Sequence, residues 1–97
     1  MHYIPDLYYK ANDEAVQYLA RRGMQPGLHA GLSDTSEMTA VDSDRRWIRL
    51  EKLAPGIAGS GVDGDPRPAS AEMGEQLIQF KVDSAAAQIR ALLAQRR

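Results

Sequence analysis

The stretch ASAEMGEQLIQFKVDSAAAQIRALLA, Ala69 to Ala94, decides how this chain is read. Ile78, Val82, Ala85, Ile89, Leu92 and Leu93 recur at helical spacing and draw one apolar stripe along a long helix over about 69–94. Leu77, Phe80 and Ala87 widen the stripe. A helix apolar on more than one side needs neighbours on more than one side, or it leaves apolar area exposed.

Upstream of it, residues 54–68 hold Pro55, Gly56, Gly59, Gly61, Gly64, Pro66 and Pro68. Breakers at that density predict an irregular connection, long for a small domain, and such segments often bind or wrap something. Trp47-Ile48-Arg49-Leu50 alternates apolar and polar over four residues, which fits one short strand or one helical turn. Asp42 to Arg45 reads as a polar turn. A short helix over 34–42 is expected, with Ser33 or Asp34 as N-cap and Glu37 at capping-box spacing from Asp34. Residues 24–33, with Pro26, Gly27 and Gly31, form a loop that carries His29. A first helix is predicted over 12–22, begun by Asn12 as cap, favoured by Asp13 and Glu14 in its first turn and stopped at Gly23. Residues 1–9 are read as extended or turn because Pro5 biases Ile4 away from helix.

Composition narrows the function classes. The chain has 97 residues, 12 Lys and Arg against 13 Asp and Glu, and no cysteine. That length gives room for one core with a thin stability margin. The balance of charge lacks the basic surplus that phosphate neutralisation requires, so nucleic acid is not an expected partner. Without cysteine there is neither a disulfide framework nor a thiolate metal site, which fits a reducing compartment, and the cytoplasm is the expected location. No run of about 20 apolar residues is present, so no membrane association is expected.

Few side chains could carry chemistry. His29 lies in Gly27-Leu28-His29-Ala30-Gly31, where an imidazole can reach a substrate or pass a proton near neutral pH. Asp34 follows five residues later. It suits either an acid that orients the ring or a helix cap. Ser33 and Thr35 suit caps as well as they suit nucleophiles. Two histidines without a His-Glu-x-x-His spacing do not make a metal site, and His2 is read as structural or exposed. The arginines flanking Trp47 are offset by Asp42, Asp44 and Glu51 and read as a solvated surface.

Two separated blocks, His29-Ala30-Gly31-Leu32-Ser33-Asp34-Thr35-Ser36-Glu37-Met38 and Gly61-Val62-Asp63-Gly64-Asp65-Pro66-Arg67-Pro68-Ala69-Ser70-Ala71-Glu72-Met73-Gly74, add to this reading. In order and spacing the pair resembles the carboxy-terminal part of the creatininase (creatinine amidohydrolase) family. Its members look like H-A-G-x-x-E-T-S followed by G-x-x-G-D-P-x-x-A-S-x-E-x-G and a terminal helix.

The resemblance implies an α/β fold, a creatininase-like α/β/α sandwich, of which this chain would be a mostly helical C-terminal fragment with at most one or two short strands. It further implies an oligomeric, metal-dependent amidohydrolase in which two divalent ions, zinc or manganese, activate water against a cyclic amide or related C–N bond. By that likeness His29 and Asp34 are the catalytic candidates. His29 stands at the family's proton-transfer position, and Asp34 at a position usually held by Glu, one methylene longer. The family's Glu-x-His and His-x-Glu ligand segments are not found in this sequence. The expected partners are therefore a missing N-terminal portion or complementary subunit, further copies of the chain, and, in the complete enzyme, a small-molecule amide. The rival expectations are a small helical interaction or oligomerisation module, and the second subunit of a split amidohydrolase.

Overall fold

Leu7–Ala20 forms the first helix, α1, in a computed structural model that describes residues 1, 3, 4, 6–42, 44 and 46–95. The readings placed on His2, Pro5 and Arg45 lie outside the described residues. Helix α1 starts about a turn and a half before the predicted Asn12. Leu7 to Lys10 are helical, and Asp6 takes the cap position without a side-chain hydrogen bond. In sequence, Pro5 precedes the first turn, where its missing N–H deprives no helical acceptor, so it does not postpone the helix. The added turn leads into Ala11, which together with Leu19 is almost fully buried.

The helix also ends at Ala20, two residues before the expected 22. Gly23, at φ 69°, lets its own N–H reach the Ala20 carbonyl (3.0 Å), while Met24 N–H reaches that of Leu19 (2.9 Å). That pair of bonds is the glycine-terminated Schellman arrangement.

The second helix, α2, spans Leu32–Val41 and follows Gly31, not Ser33 or Asp34. Asp34 therefore sits inside the first turn and is not the cap, and Glu37 lies a turn further on. Trp47 to Leu50 does not form a strand. A single 3-10 turn at Leu50–Lys52 follows it, and no strand occurs among the described residues.

The third helix, α3, spans Ala71–Ala94, close to the predicted 69–94. Ser70 is its N-cap, accepting from Met73 N–H through its hydroxyl (3.1 Å). Such a cap contributes about 1 kcal/mol.

The described chain is thus mostly helical, with α3 packed on both α1 and α2. Leu19 of α1, Leu32 of α2 and Met73 of α3 meet at the core, with Tyr18, Met24 and Ala69 around them. Leu77 is buried one turn beyond Met73. Further along α3 the outward stripe stays open, with Val82, Ile89 and Leu93 each roughly half exposed. No helix among the described residues is long and apolar enough to cross a membrane.

Candidate functional site

The two sequence blocks meet in space. Leu28 N–H donates to the Asp63 carbonyl (3.2 Å) and Asp63 N–H to the His29 carbonyl (2.8 Å), an antiparallel bridge between the His29 loop and the glycine-rich connection. Glycine makes the approach feasible. A Cβ at Gly31 would stand 2.7 Å from the Asp63 carbonyl oxygen and 3.0 Å from the Gly27 Cα, closer than real side chains come. Gly27 and Gly64 also hold positive φ angles of 75° and 113°. Gly56 N–H fixes the far side of the connection by donating to the Gly64 carbonyl (2.8 Å).

A second tie joins the same blocks lower down. Ser36 Oγ, on α2, accepts from Ser70 N–H (3.3 Å) at the start of α3. Gly74 lies against the Ser36 carbonyl so closely that any side chain there would strike it. A glycine inside a helix costs about 1 kcal/mol relative to alanine. At Gly74 that cost is offset by the close approach of two helix backbones.

Within the loop, Ala30 adopts φ 50°, a left-handed conformation that alanine rarely takes. Two side chains hold it there, and a third bond closes the turn around it. Its N–H donates to Asp34 Oδ2 (2.9 Å), its carbonyl accepts from Thr35 Oγ1 (3.3 Å), and Ser33 N–H closes the turn onto the Pro26 carbonyl (3.0 Å). Asp34 thus uses a carboxylate oxygen to fix the backbone next to His29. His29 fixes its own position through its main-chain carbonyl and leaves its imidazole exposed to solvent. No hydrogen bond between the two candidate side chains occurs among the described residues. The Ser33 hydroxyl is buried with no partner among the described residues.

Two features were missed in the sequence. Asp42 opens a polar turn in the sequence, and in the structure its buried carboxylate accepts backbone N–H groups of Arg46 (3.0 Å), Trp47 (3.0 Å) and Ile48 (2.8 Å). Burial pushes the carboxyl up. The three backbone donors, with the Arg46 charge, outweigh it and hold the group below its usual value. Asp65 is likewise lowered by the side-chain hydrogen bonds of Arg67, at 2.9 and 2.8 Å. The second feature is an open groove of about 470 Å³ beside the His29 loop, walled by Trp47 on one side and Val62 on the other. Its one sequence signal was the apolar side chains interspersed in segments otherwise read as turn and loop.

Among the described residues no three His, Asp or Glu side chains cluster closely enough to hold a metal ion. The donors among the described residues do not fit the dinuclear centre that the resemblance implies. Comparison with known proteins adds nothing to the geometry: no family model, curated protein or solved structure matches the chain.

Proposed function

We propose that this chain is the C-terminal part of a cytoplasmic, metal-dependent amidohydrolase of the creatininase type, an α/β/α sandwich whose zinc or manganese ligands are contributed by another polypeptide segment. The chain brings the His29 loop. The observation that carries the reading is the bridge between residues 29 and 63, because it joins the two blocks on which the resemblance rests. In this reading His29 receives or delivers a proton at its imidazole while Asp34, through Ala30 N–H, keeps the loop in register. The chain by itself is inactive.

The test is to express the tagged full chain in its own cell and isolate its complex. The expected complex contains a polypeptide with Glu-x-His and His-x-Glu segments, binds zinc or manganese, and hydrolyses a small amide in a manner lost on His29→Ala. Hydrolysis by the purified chain alone with added zinc or manganese would overturn the fragment reading. A complex whose amide hydrolysis ignores His29 would overturn the proton-transfer role given to that residue.

The second reading is a helical interaction module without chemistry, favoured by the half-exposed Val82, Ile89 and Leu93 along α3. It expects a homo-oligomer whose stability is indifferent to His29→Ala.

A further inference from the structure

We propose that the groove between the Trp47 loop and the 53–62 connection is a binding site for a small apolar monocarboxylate, held by stacking on Trp47 and by the cations Arg49 and Lys52. The proposal is independent of the amidohydrolase reading, since it uses neither His29 nor a metal.

The shape comes first. At about 470 Å³ the groove falls in the size range of small-ligand sites, and its walls are mainly apolar: Trp47, Leu53, Pro55, Ile57 and Val62. Trp47 and Ile57 are 67% and 74% exposed, an unusual amount of large apolar side chain to leave in water on facing loops.

Both walls are fixed by hydrogen bonds. Asp42 gathers the N–H groups of Arg46, Trp47 and Ile48 on one side. On the other, Ser60 Oγ donates to the Ile57 carbonyl (2.7 Å) and accepts from Val62 N–H (3.2 Å), while Gly56 N–H bonds the Gly64 carbonyl. A groove with anchored rims loses little conformational freedom when filled.

Charge selects the occupant. Arg49 and Lys52 line the groove and no Asp or Glu does. Of the acids near Trp47, Asp42 is engaged with backbone donors and Asp44 with Arg46 at 3.8 Å, while Glu51, in the same turn as Lys52, is exposed and stays out of the groove lining. Neither Arg49 nor Lys52 has an ion-pair partner among the described residues. Two cations beside an apolar floor complement an anion with an apolar body, and the cations are its donors, since the Thr35 and Ser60 hydroxyls of the lining already donate to the Ala30 and Ile57 carbonyls. An aromatic ring on that body would face the indole.

Trp47 is the single tryptophan of the chain, so its emission reports on the groove alone. The experiment titrates the full chain with phenylacetate and, as its uncharged counterpart, phenylacetamide. Saturable change with phenylacetate is expected, with affinity at least about tenfold above that of the amide, the difference a charge-assisted hydrogen bond supplies. The double variant Arg49→Gln, Lys52→Gln should erase that difference and leave amide binding where it was. Both positions are exposed, and circular dichroism checks that the variant keeps its helices. Equal affinity for acid and amide, or no saturation by either, overturns the proposal. An emission shift that follows protein concentration instead of ligand would assign the groove to a second copy of the chain. Binding of an acidic aromatic peptide about tenfold tighter than phenylacetate would assign it to a protein partner; either result overturns the small-molecule site.

Discussion

The junction of α2 with the start of α3 and the outer stripe of the same α3 are built in opposite ways. At the junction, backbone meets backbone: Gly74 lies on the Ser36 carbonyl, Gly31 on Asp63, and Ser36 receives the Ser70 N–H. Along the stripe, Val82, Ile89 and Leu93 present large side chains and remain about half in water. Small residues therefore mark where backbones come closest, while large apolar residues divide between the core, at Leu19, Leu32 and Leu77, and the uncovered stripe. Apolar content by itself is a poor guide to the core of so short a chain.

The largest effect is expected where the approach is closest. Gly74→Ala gains about 1 kcal/mol of helix propensity but drives a methyl group into the α2 backbone, at a cost of about 3 kcal/mol, for a net loss of about 2 kcal/mol in urea unfolding. An unchanged or raised midpoint would mean that the two helices are further apart than described.

An intermediate effect belongs to Asp42. Its carboxyl is held below the usual value in the folded chain, so its contribution is complete above the unfolded carboxylate pKa of about 4 and is lost as pH falls through the lower folded value. Trp47 emission should shift to the red over that acid range, before the far-UV helix signal is lost. In Asp42→Asn the acid step should be absent. An identical acid shift in both proteins would place its origin elsewhere.

The smallest effect is expected on the stripe. Val82→Ser should change the stability of the isolated chain by no more than about 0.5 kcal/mol, since half of the side chain is already in water. A larger loss that grows with protein concentration would show that copies of the chain cover the stripe.

What could be read in the sequence followed the same division. Helix α3 was legible because a period of 3.6 over more than twenty residues has no competing explanation. The loops expected at 24–33 and 54–68 are legible as loops from their glycines and prolines, although Leu32 and Ser33 belong to α2 and residues 69 and 70 precede α3; that they join is not legible, because nothing local in Leu28 or Asp63 declares a partner so distant in the chain. The start of α1 at Leu7 departs from the expected Asn12 because Pro5 lies ahead of the first turn in sequence and so does not delay the helix. The N-cap of α2 was misplaced because Asp34 has the chemistry of a cap and uses it from inside the first turn, reaching back to Ala30. His29 was found as a residue. Its setting was not, since its backbone carbonyl, and no ring atom, makes the bridge.

That last detail ties the imidazole to a remote piece of sequence. Insertions or deletions between Gly56 and Asp63 alter no neighbour of His29 along the chain, yet they shift the strap to which its carbonyl is fastened. Length variation in that strap is a way to re-aim the ring while every residue of the loop that carries it stays the same.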